Sequence, residues 1–129
     1  EVLNELILYI KSFNKTASKI ILAGHNVDSF DIPFLVDFFE IHGKDLSQFV
    51  NDKFTIDTMW WSRLERTESV DYKLGTSCMN RNIPLVEGHR AINDTQSNRD
   101  LVKSYLTSLR NMGSSESVKE EKPKVKFQL

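Results

Sequence analysis

Six residues, Lys19-Ile20-Ile21-Leu22-Ala23-Gly24, restrict the fold of this chain more than any other stretch. The run is apolar, carries adjacent β-branched side chains and is too short for a stable helix, so it reads as a buried strand. On either side the apolar period changes. Val2, Leu3, Leu6, Ile7, Ile10 and Phe13 share one helical face, which makes residues 1–13 a helix that Asn14 to Ser18 end. After the loop His25 to Ser29, Phe30, Phe34, Leu35, Phe38 and Ile41 recur at three and four, a helix closing near Gly43. Pro33 falls in its first turn, where a missing N–H costs nothing. A strand between two helices is covered on both faces and pairs in parallel.

The pattern then repeats. Residues 44–52 form a polar connection, and Lys53-Phe54-Thr55-Ile56-Asp57-Thr58 reads as a second strand. Met59 to Leu64 continue as a helix, Glu65 to Asp71 as a charged loop, and Tyr72, Leu74, Cys78 and Met79 as another helix closing at Asn80 to Pro84. Beyond the loop 85–92, Leu101, Val102, Tyr105, Leu106 and Leu109 define the apolar face of a long helix. The order α-β-α-β-α-α-α is an α/β pattern with two parallel strands, and two strands alone do not make a stable sheet. Residues 1–112 therefore read as part of one domain. Residues 113–129 are rich in Ser, Glu, Lys and Pro and read as a disordered tail.

Composition narrows the class of partner. A formal net charge of −1 over 129 residues gives no global basic field, so any nucleic-acid contact must be local. The single cysteine, Cys78, excludes an internal disulfide framework and fits a reducing, intracellular compartment. No apolar run is long enough to span a bilayer and no basic leader precedes the amphipathic start, so neither a membrane nor a secretory role is expected. The opening residue, Glu1, already lies within a helical pattern, which reads as a piece of a longer protein.

Two stretches concentrate chemistry. Gly24-His25-Asn26-Val27-Asp28-Ser29-Phe30-Asp31-Ile32-Pro33-Phe34-Leu35 lies where a strand ends and a helix begins, the place where open α/β sheets gather ligands. Gly88-His89-Arg90-Ala91-Ile92-Asn93-Asp94-Thr95 sets an imidazole five residues before a carboxylate at the mouth of the long helix. Asp31 and Asp94 are thus both helix-start acids. Mg²⁺ is held by one or two carboxylates together with waters and phosphate oxygens, and an imidazole nearby suits a general base. Taken singly, an Asp such as Asp94 is more often a helix cap and a His such as His25 more often a hydrogen-bonded structural residue, and Asp28 reads also as a turn residue. Asp57 is open between a supporting role behind the site and a cap for the Met59 helix. One of Trp60 and Trp61 must face outward.

The ordered pair His25-Asn26…Phe30-Asp31…Phe34-Leu35 and His89-Arg90-Ala91…Asp94 resembles the second and third motifs of the DnaQ-like (RNase H-like) 3′-5′ exonuclease superfamily, DEDDh branch. The spelling His-Asn-x-Asp-x-aromatic-Asp-x-Pro is most similar to the three-prime repair exonucleases, and the likeness runs over residues 1–110. It implies a mixed sheet flanked by helices and a two-metal hydrolysis of phosphodiesters at nucleic-acid 3′ ends with Mg²⁺ or Mn²⁺. It assigns His89 as general base, Asp31 and Asp94 as metal carboxylates, Phe30 and Asn26 as contacts to the terminal nucleotides, and Arg90 as a phosphate contact. Single-stranded or 3′-end nucleic acid, DNA more than RNA, is the implied substrate, and a homodimer is a further implied partnership.

The resemblance is incomplete. The family's first motif, Asp-x-Glu on the first strand, occurs nowhere in these 129 residues, and Glu1 and Glu5 are the only acids before Asp28. The chain alone is therefore expected to be inactive and poorly folded. The rival reading is a catalytically inactive exonuclease-fold module that binds nucleic acid or protein; retention of Asp31, His89 and Asp94 together speaks against it.

Overall fold

The structure, a computed structural model, describes residues 1–13, 19–85 and 91–114. Five α-helices, one 3-10 turn and two strands follow one another as α1 (Val2–Phe13), β1 (Ile20–Gly24), α2 (Asp31–Ile41), the turn Leu46–Gln48, β2 (Val50–Asp57), α3 (Thr58–Glu65), α4 (Leu74–Asn80) and α5 (Ala91–Ser114). This is the α-β-α-β-α-α-α order that the periodicity predicts. The long helix runs two residues past the expected boundary at 113, and Ser114 Oγ bonds back to the Asn111 carbonyl at 3.2 Å. The rest of the expected tail, 115–129, lies outside the described residues. Among the described residues no helix is long and apolar enough to cross a membrane.

β1 and β2 pair in parallel. Ile20 and Ile21 lie opposite Val50 and Asn51, then Ala23 and Gly24 opposite Ile56 and Asp57, so β2 takes a detour between Asn51 and Ile56 that β1 does not. The Asn51 side chain closes the detour by accepting the backbone N–H groups of Lys53 at 3.1 Å and Phe54 at 3.0 Å. Asn favours this local turn over a ladder position. It also explains why β2 begins at Val50, ahead of the expected Lys53 start.

Apolar packing is split between the two faces of this sheet. On one, Leu3, Ile7 and Ile10 of α1 meet Phe39 of α2, Leu46 and Val50, with Ile20 and Leu22 of β1 against them. The three α1 residues are spaced four and three apart, the stripe of a one-sided helix. On the other, Cys78 of α4 packs on Leu101 and Tyr105 of α5, with Trp61, Leu74 and Ile83 around them. β1 is not buried on both faces as its apolar run suggests. Ile20, Leu22 and Gly24 are half-buried while Ile21 and Ala23 are exposed, because α5 covers only part of the second face. Ile21 keeps 45% of its surface open.

α2 ends in a Schellman turn. Lys44 N–H reaches the Phe39 carbonyl and Gly43 N–H the Glu40 carbonyl, both at 2.9 Å, with Gly43 at φ +68. Glycine meets that left-handed geometry without a Cβ penalty. His42 just before it bonds the Phe38 carbonyl at 2.8 Å.

Candidate functional site

The carboxyl end of β1 opens into a cleft of about 340 Å³. Its walls include Gly24 and His25 from the strand end, Asp31 and Leu35 from α2, Leu74 from α4, and Asp94, Thr95 and Asn98 from α5. Two acids far apart in sequence therefore face one space at a strand's carboxyl end, as expected for an open α/β sheet.

The loop that delivers Asp31 is tight. A Cβ on Gly24 would stand 2.8 Å from the Cβ of Val27, so only glycine lets the chain fold back this closely. Val27 is buried beneath it. Asn26 follows at φ +64, a left-handed geometry that Asn accepts more readily than most residues. Its carbonyl takes the Phe30 N–H at 3.1 Å, and the Val27 carbonyl takes the Ile32 N–H at 2.9 Å, so the first turn of α2 is bonded back to the loop. Phe30 precedes the helix with 73% of its surface exposed. Asp31 opens α2. Loss of water on one side raises its carboxyl above the ordinary value and the Asp57 charge pushes the same way, against a bond to its own backbone N–H. The Asp28 carboxylate, exposed, takes the Thr55 hydroxyl.

Asp94 enters from the first turn of α5, where the helix dipole favours a negative charge. Thr95 beside it returns its hydroxyl to the Ala91 carbonyl at 2.8 Å. His89 and Arg90 lie outside the described residues. The remaining four expected site residues, Asn26, Phe30, Asp31 and Asp94, are all described. Asp31 and Asp94 share the cleft, and Asn26 and Phe30 lie on the loop and helix cap that carry Asp31.

His25 is structural in this arrangement. Nε2 lies 2.6 Å from the Tyr72 carbonyl, an oxygen that only accepts, so Nε2 carries a hydrogen. Nδ1 lies 2.9 Å from Thr58 Oγ1. A neutral ring takes the Thr58 hydrogen at Nδ1, and a doubly protonated ring leaves that hydrogen to the Gly24 carbonyl, 3.1 Å away. Either way both nitrogens are engaged.

Asp57 both caps α3 and supports the cleft. It accepts the N–H groups of Met59 at 3.0 Å, Asn26 at 2.9 Å and Asp28 at 3.3 Å. Thr58 and Asn98 are the residues that the sequence patterns do not single out. Asn98 Nδ2 donates to Thr58 Oγ1 at 2.8 Å, inside the protein. The available signal is spacing: Asn98 stands four residues after Asp94, on the same helix face, and is an amide where an apolar residue would be ordinary.

A larger cavity, about 400 Å³, lies between α3 and α5 against Trp61, Leu64, Tyr105, Leu109 and Met112. Its acid and base, Glu65 and Arg81, pair with each other at 2.5 Å, so it offers a greasy groove and no uncommitted charge. The cleft at β1 is the better candidate because its carboxylates face open space. Among the described residues no group of three or more His, Cys, Asp or Glu side chains converges as a metal cage. Asp31 and Asp94 line one cleft, and they are the residues that could hold a Mg²⁺, an ion that takes one or two protein carboxylates and keeps its waters. Comparison with protein-family models, curated proteins and solved structures finds no match to this chain.

Proposed function

We propose that this chain carries the second and third catalytic motifs of an RNase H-like, DEDDh-type 3′-5′ exonuclease acting on nucleic-acid 3′ ends, DNA in preference to RNA. The observation that supports this reading is the meeting of Asp31 and Asp94 in one cleft at the carboxyl end of β1. An Asp31 carboxylate disfavoured by dehydration and by the Asp57 charge would be relieved by a bound cation. A Mg²⁺ or Mn²⁺ held there offsets phosphate charge and acidifies water. Asp31 and Asp94 orient the ion. The exposed ring of Phe30 offers a stacking face for a terminal base, and Asn26 a polar contact beside it. His89, upstream of Asp94, takes the proton of the attacking water, and Arg90 meets a phosphate.

Full activity in this scheme needs an Asp-x-Glu pair, which these 129 residues lack. The test compares this chain with a longer form that carries an Asp-x-Glu strand ahead of Glu1, on a 3′-labelled single-stranded oligonucleotide with Mg²⁺. Release of mononucleotides by the longer form alone is the expected result. Hydrolysis by the 129-residue chain overturns the need for the Asp-x-Glu pair. Binding without hydrolysis by both forms favours a nucleic-acid-binding module.

A further inference from the structure

We propose that Asp57 and Thr58, consecutive at the junction of β2 and α3, are positioning residues that set Asp31 and Asp94 against each other across the cleft. The inference rests on the reading of those two acids as cation ligands.

A helix cap needs one backbone N–H, and Met59 supplies it to Asp57. The other two N–H groups on this carboxylate, from Asn26 and Asp28, belong to the loop between β1 and α2. Asp57 is only 6% exposed, and a buried carboxylate is tolerated when several donors surround it. It holds the loop at the strained Asn26, and the loop in turn is bonded to the first turn of α2 through Phe30 and Ile32. Asp31 therefore rides on amides that end at Asp57.

Thr58 does the same for the second acid. Its side chain is fully buried, and its hydroxyl meets Gly24 at the end of β1, His25 just after it and Asn98 of α5. Asn98 stands one helical turn beyond Asp94, so the Thr58–Asn98 bond fixes how far α5 slides along the strand ends. One backbone step thus separates the anchor of one acid from the anchor of the other. Side chains behind metal ligands commonly govern affinity in this way.

The test is a Mn²⁺ titration of the 129-residue chain, followed by paramagnetic line broadening well below the unfolding midpoint of each variant. Asp57→Asn and Thr58→Val should each weaken Mn²⁺ binding about 10-fold. Thr58→Ser keeps the hydroxyl and should restore wild-type affinity while losing stability with its methyl group. Asp31→Asn and Asp94→Asn serve as references and should bind least. Wild-type affinity in both Asp57→Asn and Thr58→Val, with the references weakened, overturns the positioning role. Unchanged binding in the references overturns the cation reading, and this inference with it. If Asp57→Asn does not fold, the Thr58→Val and Thr58→Ser pair decides.

Discussion

The guanidinium of Arg81 lies 4.2 Å from the centroid of the Tyr105 ring. From that position it donates to Ser104 Oγ at 2.8 Å, to the Ser104 carbonyl at 3.0 Å and to Ser108 Oγ at 2.5 Å, and pairs with Glu65. One side chain thus ties the end of α4 to α5 and α3. Arg81→Ala should cost about 2–4 kcal/mol, since it leaves a half-covered Glu65 and several acceptors without their donor. Tyr105→Phe, which removes only the hydroxyl between Ser62 and Glu65, should cost about 1 kcal/mol. Urea unfolding of both variants checks the order; equal losses would mean that Arg81, with its stacking and its bonds to Ser104 and Ser108, adds nothing beyond what the Tyr105 hydroxyl supplies.

Gly43 tests the end of α2. Nothing lies within 4 Å of a Cβ built there, so substitution meets backbone strain alone. Gly43→Ala should lower stability by about 1 kcal/mol, and Gly43→Asn by less. Thermal melts of the two variants give the comparison.

Cys78 should be chemically silent in the native protein. Burial pushes its thiol up to about 11 from 9.0, with the Asp100 charge adding to it. A disulfide reagent at pH 8 should react only on unfolding, because the attacking species is the thiolate. The raised thiol also sets a sign: above pH 9 the unfolded chain ionises first, so this group removes stability as pH rises from 9 toward about 11. Cys78→Ala should flatten that part of the stability curve.

Asp31 should trade stability for function. Its folded carboxyl is raised above 3.8, so the native state holds its proton where the unfolded chain has released it. The group therefore destabilises the fold above its folded value, and the penalty vanishes at pH values below 3.8. Asp31→Asn should raise the melting temperature at pH 7, leave it unchanged near pH 3, and lose metal affinity. A lower melting temperature at pH 7 would show that the ionised carboxylate has favourable partners instead.

In a longer form with exonuclease activity, His89→Ala should cut turnover at least about 10²-fold while leaving Mn²⁺ binding largely intact. Asp94→Ala should lose both. Single-turnover kinetics beside a Mn²⁺ titration separate the two outcomes, and full turnover in His89→Ala would remove it from the role of base.

Among the described residues the periodicities place the five α-helices and two strands in order, since one-sided stripes such as Leu3, Ile7 and Ile10 carry their own geometry, but Thr58, expected to end the second strand, opens α3 instead. Ile21 and Ala23 were harder. An apolar run shows that a strand wants cover, not how much of each face a neighbour supplies. That Asp31 and Asp94 share a cleft was legible because each lies in the first turn of a helix whose apolar face the sequence shows. Thr58 and Asn98 were not, because a buried hydroxyl and a buried amide identify one another only once β2 and α5 have met. His25 was legible in type, a hydrogen-bonded ring, but not in partner: Tyr72, expected inside a helix, lies just ahead of α4, where its carbonyl is free to take the ring.

The detour of β2 between Asn51 and Ile56 separates two rows of partners that are each in step with β1. Chain length within that detour is then uncoupled from the strand on its far side. A residue added next to Asp52 or Lys53 would enlarge an exposed turn and leave Asp57 level with Gly24. A residue added between Ile56 and Asp57 would turn the Asp57 side chain to the opposite face of the sheet. The same strand therefore holds a stretch open to length variation and, a few residues on, a junction that tolerates none.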